Sequence, residues 1–296
     1  MPASVTVAVV SWNTREELRA CLQSLAADAG TGLIDVHVVD NASGDGSAAM
    51  SSAEFPWATT VALGHNAGFG PAVNLVAERT GSPWLLAANA DIALTPQALP
   101  ALLDAGERDP GAGILAPRLL HPDGSTQHSV HPFPTLALTL AFNLGLARRR
   151  GDALTLEGCW DPERPRLVDW AIGACLLIRR TAFEQAGGFD PAQWMYAEDL
   201  DLAWRATAAG WHTRYVPAAV VNHAGGAATT QAWGSAADER WLRSTYAWML
   251  RRRGPVVTRT YAALNLAGAL ARRDRRWSRL HAGNLLASRA TLRRHR

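Results

Sequence analysis

Four short apolar runs open this 296-residue chain, each stopping at a polar turn, with helical patterns in the first and third of the gaps between them. Val5-Thr-Val-Ala-Val-Val10 has the β-branched character of a buried parallel strand. Thr14-Arg-Glu-Glu17 has the form of a capping box, and Leu18, Leu22 and Leu25 follow at helical spacing. The second run, Asp35–Asp40, gives way to Asn41-Ala-Ser-Gly-Asp-Gly-Ser47. The third, near Thr59–Leu63, leads into a glycine-rich turn over Gly64–Gly70 and a helix to about Arg79. The fourth, Trp84–Ala88, ends at Asn89-Ala-Asp91, and Thr95–Asp104 reads as the next helix. Such alternation predicts a doubly wound, mostly parallel sheet, in which ligands bind beyond the carboxyl ends of the strands. Asp40, Gly64–Gly70 and Asn89–Asp91 all fall at strand ends.

The second half is less regular. Gly111–Asp169 shows no clear period, Trp170–Arg180 resumes as a strand, and a helix follows with Gly187-Gly188 at its end. Glu198-Asp-Leu-Asp201 then opens a helix to about Ala209, and a strand at Thr213–Val216 leads to Val220-Val-Asn-His223. From about Ala237 the pattern is helical, with a break expected at Gly254-Pro255. No internal repeat is present, which predicts one catalytic domain over 1–236 and a helical extension over 237–296.

Charge divides the chain at the same place. Up to Glu239 there are 14 Arg against 25 acids; from Arg240 there are 15 Arg against one acid, and there is no lysine anywhere. Cys21, Cys159 and Cys175 stand in no metal-type spacing and are expected to be reduced thiols of a cytoplasmic protein. No secretory signal pattern stands at the start, and no apolar run reaches the roughly 18–20 residues that span a bilayer. The expectation is therefore a protein that does not cross a membrane.

The candidate chemistry is carried by few side chains. Asp40 is placed to accept hydrogen bonds from a ribose or base N–H, although an Asx-turn explains it equally well. The glycine turn lacks the dinucleotide-binding spacing. Asn89-Ala-Asp91 suits a hard divalent cation bridging phosphate oxygens, but Asn-x-Asp is also common in turns. Glu198, Asp199 and Asp201 put three like charges within four residues, surrounded by Trp194, Met195, Tyr196, Leu200, Leu202 and Trp204. A carboxylate with a raised pKa in such a partly apolar rim suits a general base, whereas a solvated first helical turn is the plain alternative. His223 is a structural histidine or a neutral imidazole ligand.

Taken in order, these segments form a recognisable set. Val9-Val-Ser-Trp-Asn13, Val38–Ser47, Asn66-Ala-Gly-Phe-Gly-Pro-Ala-Val-Asn74 and Asn89-Ala-Asp91 resemble the donor half of family 2 glycosyltransferases. Trp170–Arg180, Gly187-Gly-Phe-Asp190, Met195-Tyr-Ala-Glu-Asp-Leu-Asp-Leu202 and Tyr215-Val-Pro…His223 resemble the acceptor half. The likeness covers about Val5 to His223 and is nearest the actinobacterial rhamnosyltransferases acting on polyprenyl-diphosphate-linked GlcNAc. Asp109-Pro-Gly-Ala-Gly113, His121-Pro-Asp-Gly-Ser125 and the Arg-rich tail add to it.

The resemblance implies a GT-A fold, an α/β doubly wound mixed sheet that is mostly parallel, with the C-terminal helices as an extension. Its donor half would span about 1–105 and its acceptor half about 106–236. It implies that Asp40 holds the nucleoside, with Ser11 and Asn66 lining the base pocket. Asn89 and Asp91 would stand at the Asp-x-Asp-type position, and Asp91 with His223 would ligate Mg²⁺ or Mn²⁺. Glu198 and Asp199 would be the catalytic pair, with Asp199 as base, and Trp170, Gly173 and Ala174 would shape the acceptor entrance. The implied reaction is inverting transfer of a sugar, L-rhamnose from dTDP-rhamnose foremost or another dTDP- or UDP-sugar, onto a glycan or polyprenyl-diphosphate-linked acceptor in envelope synthesis. A nucleotide-sugar-binding protein without turnover is the rival, and it has no use for Glu198, Asp199 and His223 together.

The tail needs its own explanation. Arg251–Arg253, Arg272-Arg273, Arg275-Arg276 and Arg293-Arg294 are interleaved with Trp248, Leu250, Leu264, Leu266, Leu270, Trp277, Leu280, Leu285 and Leu286. That pattern suits an anionic membrane surface, which would make the protein peripheral on the inner face of the cell membrane. Packing on an acidic body or an oligomer contact is the alternative. Nucleic acid is not expected, because no binding motif accompanies the charge.

Overall fold

The first strand, β1 (Val5–Ser11), is almost wholly buried, because apolar side chains occupy both of its faces. It is flanked in parallel by β2 (Ile34–Asp40) and β4 (Trp84–Asn89), with β3 (Thr59–Ala62) parallel to β2. Beyond β4 the direction changes. β10 (Cys175–Arg179) runs antiparallel to β4 and to β6 (Ala112–Leu120). β11 (His212–His223) is parallel to β6 and antiparallel to β5 (Ile92–Leu94) and to β8 (Arg166–Val168). The result is a nine-stranded mixed sheet. The computed structural model describes residues 3–225 and 237–286.

The helices α1 (Arg15–Gly30), α2 (Ser47–Glu54), α3 (Phe69–Arg79) and α4 (Ala98–Arg108) connect the first strands. Leu18, Cys21, Leu22 and Leu25 of α1 are buried, as their spacing predicts. The capping box is not made: the Thr14 hydroxyl pairs with Ser11 Oγ at 3.1 Å and caps nothing. Thr95 also departs from expectation. Its N–H and hydroxyl are both bound to the Val220 carbonyl, so the helix starts later, at Ala98.

β6 and the short strands β5, β7 (Val130–His131) and β8 were not legible. β6 lies inside the stretch that reads as irregular, since Gly113 and Pro117 interrupt its apolar run. Gly113 is needed there because a Cβ would press on Trp211 and Ala182. The run Trp170–Arg180 is also two strands, not one. β9 (Trp170–Ala171) pairs with β7, and Ile172-Gly-Ala174 turns the chain into β10. α6 (Arg180–Ala186) and α7 (Glu198–Ala208) complete this part of the chain.

The chain forms two compact units, Met1–His131 with Pro162–Gly234, and Pro132–Asp161 with Ser235–Arg296. Residues 132–161, which the linear division counts with the first 236, thus group with the C-terminal helices. In this second unit α8 (Ala237–Arg252), α9 (Gly254–Ala271) and α10 (Arg275–Leu286) enclose Leu242, Tyr246 and Ala262. Tyr261, Trp277, Leu280 and Leu285 pack around them. Tyr246 OH pairs with His281 Nδ1 at 2.9 Å. α5 (Leu136–Asn143) lies on α9, where Asn143 Nδ2 donates to the Leu264 carbonyl at 3.3 Å. Of the apolar residues interleaved with arginine in the tail, Trp277, Leu280 and Leu285 are committed to this internal core. Leu270 is 60% exposed. Arg293 and Arg294 lie outside the described residues.

Candidate active site

Ser11, Asp40 and Asn89 end up side by side because they occupy the last positions of three adjacent parallel strands. Ser11 is in register with Asp40, and Val10 with Asn89. The Asn41 N–H donates to the Ser11 carbonyl at 2.8 Å. Asp40 is 2% exposed: its Oδ2 accepts from the Ser43 N–H at 2.9 Å. Its Oδ1 is buried without a hydrogen-bond partner among the described residues. A buried, unsatisfied carboxylate oxygen is costly unless a ligand donor completes it. Ser11 is fully buried, with its hydroxyl on Thr14.

The glycine turn is locked onto the strand end by Asn41, a residue the sequence left without a role. Its Nδ2 donates to the Gly68 carbonyl at 3.3 Å and its Oδ1 accepts from the Ala67 N–H at 3.2 Å. Asn66 Oδ1 accepts from the Gly68 N–H at 2.9 Å. Gly68 is required twice over: its φ is +91°, and a Cβ would overlap the Trp194 carbonyl. Asn74 on α3 fastens the other side, donating to the Phe189 carbonyl at 2.8 Å and accepting from its N–H at 2.9 Å.

Asp91 and His223 meet because β5 and β11 pair antiparallel, with Ile92 opposite His223. The Ala224 N–H donates to the Asp91 carbonyl at 3.0 Å. His223 Nε2 lies 3.5 Å from Asp91 Oδ1. The opposite ring nitrogen, Nδ1, pairs with Gln127 Oε1 at 2.7 Å. Gln127 fixes the tautomer. Its amide nitrogen must donate to the His223 carbonyl, 2.9 Å away, and it also faces His121 Nδ1 at 3.2 Å. Its Oε1 is then the acceptor, so His223 Nδ1 carries a proton, and the tautomer of the neutral ring is the one with its lone pair on Nε2. That Nε2 is buried without a hydrogen-bond partner among the described residues. An imidazole lone pair facing a carboxylate at this distance is a suitable seat for a divalent cation. Among the described residues no group of three or more His, Cys, Asp or Glu gathers at one point.

The acid pair sits at the start of α7, behind two consecutive non-glycine residues in the left-handed region, Tyr196 (φ 59°) and Ala197 (φ 62°). Backbone held this way is costly and concentrates where a side chain must be aimed. Asp199 Oδ2 accepts from the Gly173 N–H at 2.8 Å and Oδ1 from the Leu200 N–H at 2.7 Å. The next residue, Ala174, accepts from the Asn89 N–H at 2.9 Å. One short turn thus touches both the acid pair and the Asn89-Ala-Asp91 segment. Burial raises both carboxyls above their usual range, and the Asp199 charge raises Glu198 further. Glu198 Oε2 is buried and has no hydrogen-bond partner among the described residues. Asp201 is different: it is fully buried and paired with Arg205 Nε at 2.8 Å, a structural bridge.

Trp170 is 6% exposed and stacks on His131 at 4.6 Å between centroids. Burial, with His128 nearby, holds the His131 imidazole down to about 3, so it is neutral. Gly173 borders Asp199 and Phe69, and Ala174 is buried in the main core.

The structure thus places carboxylates and amides at the carboxyl ends of a mixed α/β sheet and links them through Gly173 and Ala174 to a buried acid pair. The chain matches the family model "Glycosyltransferase like family 2" over residues 2–247 and belongs to that family. It is a glycosyltransferase. It is 35% identical over 242 residues to N-acetylglucosaminyl-diphospho-decaprenol L-rhamnosyltransferase of Mycobacterium tuberculosis, covering 73% of this chain and 75% of that protein. Rhamnosyltransferase WbbL of Escherichia coli K12 is 32% identical over 128 residues, 43% of this chain and 46% of that protein. Among solved structures, the mannosyltransferase PcManGT from Pyrobaculum calidifontis, in complex with GDP-Man and Mn²⁺, superposes with a TM-score of 0.58 at 17% identity. It covers 99% of this chain and 88% of that one. S. aureus TarS 1–349 with UDP gives 0.56 at 14%, over 93% of this chain and 74% of that one. These two likenesses establish the GT-A fold.

Proposed function

We propose that the protein transfers L-rhamnose from dTDP-rhamnose to a hydroxyl of a polyprenyl-diphosphate-linked GlcNAc acceptor, with inversion and with a divalent metal. The observation that carries this reading is the placement of Asp199: a buried carboxylate held by the Gly173 N–H, one residue from the Ala174–Asn89 bond. The names of the mycobacterial and E. coli relatives supply the sugar, and the former supplies the acceptor class.

In this mechanism Asp40 Oδ1 accepts a donor group of the nucleoside, with Ser11, Asn66 and Asn89 around the base and phosphates. Asp91 and His223 would hold Mg²⁺ or Mn²⁺, which would supply positive charge against the leaving diphosphate. Trp170, Gly173 and Ala174 border the acceptor. Asp199 takes the proton from the acceptor hydroxyl as its oxygen bonds to the anomeric carbon. The bond from that carbon to the diphosphate breaks on the opposite face, so one displacement inverts the centre. Glu198, kept protonated more readily by its neighbour's charge, limits repulsion at the base.

A cell-membrane acceptor requires a protein that works at the bilayer surface. No described helix is long and apolar enough to cross a membrane, which fits peripheral attachment on the cytoplasmic face, with the Arg-rich unit as the attaching part. A nucleotide-sugar-binding protein without turnover remains the rival, and the buried acid pair argues against it.

Release of nucleoside diphosphate from a panel of dTDP-, UDP- and GDP-sugars, with and without EDTA, tests the reading. Release from dTDP-rhamnose that depends on a prenyl-diphosphate-GlcNAc acceptor and stops with EDTA is expected. Transfer from another donor alone, or full activity in EDTA, overturns the corresponding part.

A further inference from the structure

The end of α5 and the turn after it have an unusual surface. Leu140, Phe142, Leu144 and Leu146 are 46%, 56%, 62% and 46% exposed, four large apolar side chains within seven residues. Arg148, Arg149 and Arg150 follow directly and are all exposed. Between Pro132 and Gly151 there is no Asp or Glu. Leu140 and Leu144 lie one helical turn apart and share a face. Asn143, between them, is turned the other way and is bound to the α9 backbone and to Arg272 Nη1 at 2.9 Å. That bond brings the turn carrying exposed Leu270, Arg272 and Arg273 beside α5.

We propose that residues 140–150 are a membrane-docking element: Leu140, Phe142, Leu144 and Leu146 enter the acyl boundary of an anionic leaflet while Arg148–Arg150 bind its phosphates. The charge decides the occupant. A protein partner for an apolar patch of this kind needs no run of three arginines at its border, whereas an anionic bilayer presents apolar depth beneath a negative surface. The sequence pattern alone points to the tail as the attaching segment. However, Trp277, Leu280 and Leu285 of the tail pack in the unit's own core and its exposed Trp241, Val256 and Leu270 stand far apart along the chain, whereas Leu140, Phe142, Leu144 and Leu146 are exposed within seven residues. The inference deepens the lipid-acceptor reading and rests on it for its purpose, but vesicle binding involves neither donor nor acceptor, so the two fail separately.

The test is co-sedimentation of the full chain with phosphatidylcholine vesicles, with and without phosphatidylglycerol. Binding that requires phosphatidylglycerol is expected. Phe142→Ser/Leu144→Ser should weaken it by about tenfold or more, as should replacing Arg148–Arg150 by Gln. Because these side chains are exposed, circular dichroism and thermal melting of both variants should match the parent, which separates lost docking from lost folding. No binding to phosphatidylglycerol vesicles by the parent overturns the proposal. So does undiminished binding by both variants, which would assign the contact elsewhere in the chain. A concentration-dependent dimer that Phe142→Ser/Leu144→Ser dissolves would also overturn it, by giving the patch to a second copy.

Discussion

Gln127 holds His223 at 2.7 Å through Nδ1 and at 2.9 Å through the His223 carbonyl, so one buried amide sets both the backbone position and the tautomer of the imidazole. It is a positioning residue: the group facing Asp91 is His223 Nε2. Gln127→Leu should weaken Mn²⁺ binding in the presence of dTDP by about 10- to 100-fold, read by electron paramagnetic resonance of free Mn²⁺. Gln127→Glu keeps an acceptor for Nδ1–H and should recover part of that loss. Equal affinity in all three proteins would leave Gln127 with packing alone.

Asp199→Asn keeps an acceptor oxygen for the Gly173 N–H but cannot take a proton. Turnover should fall by about 10²- to 10⁴-fold with donor affinity within about twofold, measured by single-turnover transfer and by dTDP-rhamnose titration calorimetry. A parallel loss of donor binding would count against a role as base.

The raised carboxyls set the pH dependence of the rate. A base must be ionised, so the rate rises with pH as the Glu198–Asp199 pair loses its protons, and the acid limb should lie above the ordinary carboxylate range of about 4. An acid limb at or below that range in a kcat–pH profile would contradict the burial argument.

The same groups make a stability prediction of definite sign. A carboxyl whose folded-state pKa exceeds its unfolded value binds protons more tightly when folded. Stability is therefore lost as pH rises between those two values. Glu198→Gln removes a charge that is costly above that window. It should raise Tm by about 2–4 °C at pH 8, for roughly 1 kcal/mol, and change it little near pH 4. Differential scanning calorimetry at the two pH values checks this.

Gly68→Ala places a methyl group against the Trp194 carbonyl at a φ of +91°. A loss of roughly 2 kcal/mol or more in denaturant unfolding is expected, together with weaker dTDP binding, because the same turn is tied to Asn41. Gly81→Ala, whose Cβ would meet nothing within 4 Å, is the matched control and should be near neutral.

The order of the first four strands, with α1 and α3 between them, was determined by the sequence itself, because buried parallel strands are continuous apolar runs and their polar ends are abrupt; α2 went unread behind its polar turn. Asp40, Asn89 and Asp91 were visible for the same reason, and the acids at 198 and 199 were visible as a charge cluster among aromatics. What tertiary structure decided was everything that depends on pairing across long separations. β6 was hidden by Gly113 and Pro117, whose reasons lie in Trp211 and in the neighbouring strands. Thr14 has the local pattern of a cap, yet its hydroxyl goes to Ser11. Gln127, Asn41 and Asn74 are single amides that no periodicity marks, and each acts on a partner 26 to 115 positions away. Local patterns report which side chains prefer burial or a turn; only the packed sheet determines which of them meet.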